Sequence, residues 1–143
     1  MQRKLKILTV GKVKSTWIQS GIQDYRNRIP GLTIIEIKDS QRRTEWSEVQ
    51  PYVKAQDRLV VLTERGKTYS SPEFANFLAQ VTIDYSVLFV IGSSDGITAE
   101  LEQAAHVRLA LSPMTFTHDL ARLLLVEQIY RAISIVSNGN YHK

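Results

Sequence analysis

Two short runs, Arg58 to Thr63 (RLVVLT) and Ser86 to Ile91 (SVLFVI), constrain this chain more than any other feature. They are apolar at nearly every residue rather than at alternate ones. A strand of that kind is buried on both faces, which places both runs at the centre of a covered sheet. The segments around them alternate in type. Lys4 to Val10 reads as a strand ending at Gly11, and Thr16 to Arg28 as a helix with Trp17, Ile18, Ile22 and Tyr25 at helical spacing. Pro30-Gly31 stops that helix, and Thr33 to Lys38 forms a second strand. Glu45 to Gln56 has helical character, but Pro51 should break or restart it. Ser71-Pro72-Glu73 opens a helix with Ser71 as its cap, and Thr98 caps a short helix through Ala105. Val107 to Leu111 is a short fifth strand, and a last helix runs from about Thr117 to Val136. The expected fold is α/β, a parallel sheet with helices on both faces.

In such sheets ligands bind beyond the carboxyl ends of the strands. Here those ends lead into Thr63-Glu64-Arg65-Gly66, Gly92-Ser93-Ser94-Asp95-Gly96 and Ser112-Pro113-Met114-Thr115-Phe116, which should converge on one edge. The glycine segment alone is also what a tight strand-to-helix turn requires, and it lacks the dinucleotide and P-loop spacings. The uncharged 112–116 segment offers free backbone groups to a purine-like edge, and Met114 and Phe116 either pack on such a ring or fill core.

At 143 residues the chain fits one domain, 1–143, and can bury roughly 68–70% of its unfolded surface. It has no cysteine, so neither a disulfide framework nor a cysteine zinc site is expected. Its three histidines show no metal-ligand spacing, so no metal is expected. A formal charge of +4 suits a polyanionic partner such as RNA and equally a plain solvated surface. The opening residues lack an apolar core and a cleavage site, and the longest apolar runs are too short for a bilayer. A cytoplasmic protein with no membrane partner is expected.

The last helix is apolar over most of its circumference, from Leu120 to Val136, which implies burial against more than one surface, a subunit interface among them. Glu127 and Arg131 are spaced for a helical ion pair. Arg122 either holds a phosphate or pairs with an acid elsewhere. The terminal Tyr141-His142-Lys143 combines an aromatic, an imidazole and a cation, which suits an active-site tail as well as a frayed end.

The run from Leu111 through Arg122, continued by Val126-Glu-Gln-Ile-Tyr-Arg-Ala132 and closed by Tyr141-His142-Lys143, resembles the C-terminal signature of the RlmH family. Those are SPOUT-class methyltransferases that act on N3 of a pseudouridine in large-subunit ribosomal RNA. Lys6 to Lys12 and Phe89 to Gly96 are similar to the family's opening strand and glycine loop, so the resemblance spans essentially the whole chain. It implies a C-terminal deep trefoil knot, an exception to the rule that chains do not thread loops. It implies S-adenosylmethionine as cofactor, held by Leu62, Gly92, Leu111, Ser112, Pro113, Met114, Thr115 and Phe116. It implies a homodimer in which one protomer's tail completes the other's site, and a substrate presented in the assembled ribosome. On that reading His142 is the base or orients it, Tyr141 stacks on the acceptor, and Lys143 meets phosphate or the anionic ring. Arg122 and Arg131 are then candidates for the RNA backbone. The chain departs from the family at Ser93, where a second glycine is usual and a serine needs a negative φ, and at Asn140, where proline is common. Other readings are a methyltransferase for another RNA such as tRNA, and a non-catalytic ribosome- or RNA-binding protein.

Overall fold

The computed structural model describes residues 4–143. The reading of the first residues as free of a leader falls partly on 1–3, outside the described part. Five strands form one parallel sheet: β1 (Leu5–Val10), β2 (Thr33–Ile37), β3 (Asp57–Thr68), β4 (Ser86–Ile91) and β5 (Val107–Ala110), in the order β2-β1-β4-β3-β5. The helices are α1 (Thr16–Asn27), α2 (Trp46–Val49), α3 (Ser71–Asp84), α4 (Ala99–Ala104) and α5 (His118–Val136).

Both runs that opened the argument lie in the interior, as their composition requires. Every residue of β4 from Val87 to Val90 is 0% exposed. Val87, Phe89 and Ile91 face a core shared with α1, α3 and α5, while Leu88 and Val90 face a second core with α2 and α4. Adjacent β3 divides in the same way, Val60 on the first side and Leu59 and Val61 on the second. The sheet is thus covered on both faces by helices that the crossovers between parallel strands must supply.

Three local expectations change, and that for Pro51 is met. Trp17 does not join the stripe of α1: it is 65% exposed, while Ile18 and Ile22 are buried. The cap of α3 is Ser70, one residue earlier than expected; its Oγ accepts from the Glu73 amide and the Glu73 side chain accepts from the Ser70 amide. Pro51 restarts the helix it interrupts as a 3-10 turn over Gln50–Tyr52, in whose first turn its missing N–H costs no bond. The largest change is in β3. Thr63 to Gly66 do not end the strand but form a bulge inside it. Leu62 and Lys67 both pair with Leu109, so the intervening residues swing out of the ladder and β3 then runs on to Thr68. Gly66 makes this closure possible, since a Cβ there would lie 2.7 Å from the carbonyl carbon and oxygen of Arg108.

At the opposite end of β3, His106 is tied to Leu59 twice: its amide donates to the Leu59 carbonyl at 2.9 Å, and its Nδ1 accepts from the Leu59 amide at 2.9 Å. Burial of that nitrogen, helped by the nearby Arg58 charge, holds the imidazole below its ordinary 6.5. Only the neutral ring can accept this bond. In acid the unfolded chain takes up the proton first, so this contribution is complete above pH about 6.5 and is lost as pH falls below it. Relative to a His106→Gln variant, the parent should lose urea midpoint between pH about 7.5 and about 5.5. Replacing Gly66 with Ala should lower unfolding stability by about 1–3 kcal/mol, read by urea denaturation, because the added carbon meets strand backbone that has nowhere to move.

Candidate active site

Because the strands are parallel, the carboxyl ends of β4 and β5 emerge on either side of the β3 bulge. They enclose a cleft of about 560 Å³, lined by Leu62 to Arg65, Ile91 to Ile97, and residues of the 111–116 segment, with His118 and Ala121 of α5 closing one side. That volume is typical of a small-molecule site. Of the eight positions expected to hold a cofactor, Leu62, Gly92, Leu111, Ser112, Met114, Thr115 and Phe116 line the cleft; Pro113 lies in the same segment without facing it.

Two backbone features shape this cavity. Gly92 closes the turn after β4, where a Cβ would sit 2.7 Å from Ile97 Cγ2 and 3.0 Å from the Gly96 carbonyl oxygen. Ser93 is not among the positive-φ residues, so the serine adopts the backbone expected to tolerate it. The second feature is the 112–116 segment. Ser112 Oγ accepts from the Met114 amide at 3.0 Å, and no backbone–backbone hydrogen bond involves residues 112–116. The remaining main-chain donors and acceptors are open to a ligand. Met114 is 75% exposed at the mouth, so it is not core filler, whereas Phe116 is half-buried.

The expected tail residues are elsewhere. Tyr141, His142 and Lys143 do not line the cleft. Tyr141 and His142 lie against α5 near Glu127 and Arg131, nine and thirteen residues beyond His118, or roughly 13–20 Å along the helix, and Lys143 follows them exposed. The chain is turned back there by Asn138 at φ 58° and by the Gly139 amide, which donates to the Ser134 carbonyl at 2.7 Å. Tyr141 then packs edge-on against Tyr130 with ring centres 4.8 Å apart, and the Arg131 guanidinium lies 4.8 Å from its ring centre. Its hydroxyl donates to Glu127 Oε2 at 2.6 Å and meets the Tyr25 hydroxyl at 2.8 Å. Burial first, and then the bond to the Glu127 carboxylate, raise the Tyr141 phenol well above its ordinary value, so it stays a donor. The Glu127–Arg131 pair forms at 2.7 Å as its spacing suggested. Arg131 Nη1 lies 3.0 Å from His142 Nδ1. A guanidinium only donates, so Nδ1 is the acceptor and the neutral ring carries its proton on Nε2. In this position His142 offers a donor rather than a base.

Arg122 also has a definite partner. It is 3% exposed, with Nη1 2.8 Å from Glu36 Oε2 and Nη2 3.1 Å from the Gly11 carbonyl. It pins α5 to the ends of β1 and β2, and in this arrangement it offers nothing to an RNA phosphate. The acid it pairs with lies 86 residues away, beyond the reach of any spacing argument. Arg43 is a cleft residue that sequence reasoning missed. No local pattern marks it, since the loop after β2 reaches the site only through the fold. Among the described residues no group of His, Asp or Glu is placed to hold a metal ion, and no helix is long and apolar enough to cross a membrane.

Comparison with known proteins places this geometry. A family model described as a predicted SPOUT methyltransferase matches residues 3–142. The chain is 47% identical over 140 residues to the Ribosomal RNA large subunit methyltransferase H of Synechococcus sp. (strain CC9605), a match covering 98% of this chain and 96% of that protein. It is 44% identical to the protein of the same name from Synechococcus sp. (strain CC9311) and 43% to that of Prochlorococcus marinus (strain MIT 9211), each with the same coverage. The parallel sheet, the cleft at its carboxyl edge and this near-complete match agree: the chain belongs to the SPOUT methyltransferase family.

Proposed function

We propose that residues 1–143 form one methyltransferase domain that moves a methyl group from S-adenosylmethionine to N3 of a pseudouridine in large-subunit ribosomal RNA, in the cytoplasm and on the assembled ribosome. The observation that carries this reading is the cleft itself: the ends of β4 and β5 and the bulge of β3 meet in a cavity whose 112–116 wall keeps its main-chain groups free. The names of the close relatives support the RNA as substrate.

The residues present fit the cofactor. Leu62, Leu111 and Phe116 supply apolar surface, Gly92 lets the ligand approach backbone, and Ser112 to Thr115 offer the amides and carbonyls that recognise a purine edge. When bound, S-adenosylmethionine supplies a methyl group already activated by its sulfonium centre. The chain's own task is alignment and exclusion of water, which alone accounts for large rate factors. The acceptor N3 must also lose its proton, and His142 is assigned to that step or to orienting the group that performs it. Tyr141 and Lys143 belong to the same tail, which serves the cleft of a second protomer. Half-buried Leu120 and Leu124 on α5, together with exposed Trp17 on α1, are compatible with such a homodimer. In that dimer Arg131 steadies the tail and faces the RNA backbone. The C-terminal threading implied by the family resemblance stays part of the proposal.

The test is methyl transfer from labelled cofactor to ribosomes from a strain lacking this modification, with free ribosomal RNA and tRNA alongside. Label on ribosomes alone, mapped to N3 of a pseudouridine, is expected; label on tRNA would assign another substrate. Replacing His142 with Ala should lower kcat by about 100-fold or more while cofactor affinity holds. Unchanged turnover would remove His142 from the mechanism.

A further inference from the structure

The loop between β2 and α2 is stapled to the glycine turn after β4. Thr44 is 1% exposed; its amide donates to the Gly96 carbonyl at 2.9 Å and its carbonyl accepts from the Thr98 amide at 3.0 Å. Thr44 Oγ1 accepts from the Ser93 amide at 2.9 Å, and Ser93 Oγ donates to the Arg42 carbonyl at 2.7 Å. Arg43 sits between these two tethered residues, exposed, with its side chain on the rim of the cleft.

Its electrostatic position is unusual. Two arginines line the cleft, and Arg65 is neutralised by Glu102. Nearby Arg42 is paired with Glu45 and Arg108 with Glu102. Among the described residues Arg43 has neither a carboxylate nor a carbonyl partner. Glu64 and Asp95 line the same cavity and, among the described residues, form no ion pair, so a polyanion is disfavoured near them. Among the described cleft residues Arg43 is the arginine left open to an anion. A guanidinium there offers a planar fork that matches phosphate oxygens.

From this we infer that Arg43, held over the cleft by Ser93 and Thr44, receives a backbone phosphate of the RNA strand that carries the acceptor base. The inference rests on the methyltransferase reading. A cofactor carboxylate is the other anion that could meet this group; exposure at the rim favours the strand that arrives from solvent.

The experiment pairs steady-state transfer to ribosomes with calorimetric cofactor binding and with ribosome binding across a salt series, for the parent, Arg43→Gln, Arg43→Lys and Ser93→Ala. Arg43→Gln should raise KM for ribosomes about tenfold, leave kcat and cofactor Kd within about twofold, and reduce the slope of log affinity against log salt by about one. Arg43→Lys should restore the slope and part of the KM. Ser93→Ala, which frees the Arg42 carbonyl but keeps the charge, should raise KM by less with kcat unchanged, marking Ser93 as a positioning residue. An unchanged KM and salt slope in Arg43→Gln would overturn the assignment, and so would a rise in cofactor Kd without a rise in ribosome KM. If the parent itself transfers no methyl to ribosomes, the methyltransferase reading falls, and the salt series still decides: a slope unaltered by Arg43→Gln rejects the phosphate contact, and a slope lower by one retains it.

Discussion

Burial of β4 on both faces is the constraint on which the rest of the molecule depends. A strand with four consecutive residues at 0% exposure needs hydrogen-bonded neighbours on both sides and a helical layer above and below. β1 and β3 provide the neighbours, and every connection between parallel strands has to pass over a face, so the helices arise where they are needed. The same parallelism sends the turns after β4 and β5 to one edge, beside the bulge of β3. The cleft is thus a consequence of the way the core is closed, and only its lining had to be chosen for chemistry.

That division explains what the sequence made legible. Strand and helix positions follow from local composition: β4 lies where its apolar run predicts, and Thr98 and Thr117 cap their helices through bonds to Leu101 and Leu120. The three lining segments could be named because each follows an apolar strand run, although the first proved to be a bulge rather than a strand end. What escaped depends on distant groups. The bulge at Thr63 to Gly66 exists because β5 pairs on either side of it, and TERGKT by itself reads as a turn. Arg122 finds Glu36 across 86 residues, and Arg43 reaches the site through tethers to a turn 49 to 52 residues later. Trp17 has helical spacing with Ile18 and Ile22, yet it projects to solvent, since spacing cannot say how wide a buried stripe will be.

The tail adds a mechanical point. In one chain, Tyr141 is fixed by Glu127 and Tyr25 and His142 is engaged by Arg131, all on α5 or α1 and away from the cleft. As long as Nδ1 accepts from Arg131, the imidazole has no free lone pair at Nε2 with which to take a proton. Two routes reconcile this with a role in catalysis. Either the tail leaves α5 when substrate binds, freeing Nδ1, or His142 works by donating from Nε2 and steadies the ring whose proton departs to another group. The Tyr141–Glu127 bond bears on the choice, because a protonated phenol on a carboxylate is a firm anchor that the first route must break.

The charge pattern bears on how so small a chain engages a large RNA. Six arginines are tied to carboxylates: Arg28, Arg42, Arg65, Arg108, Arg122 and Arg131. Most of the arginine charge is therefore compensated within the fold, while the chain as a whole carries a formal excess of +4. Affinity for a nucleic acid grows with the number of phosphates neutralised, and an arginine already held by a carboxylate adds little to that number. Arginines held in this way contribute little to a non-specific grip on RNA. On the methyltransferase reading, discrimination then lies in shape: the acceptor must arrive already held in a geometry that reaches the cleft, as a nucleotide fixed within a ribosome does, and a single guanidinium at the rim suffices to set its final register.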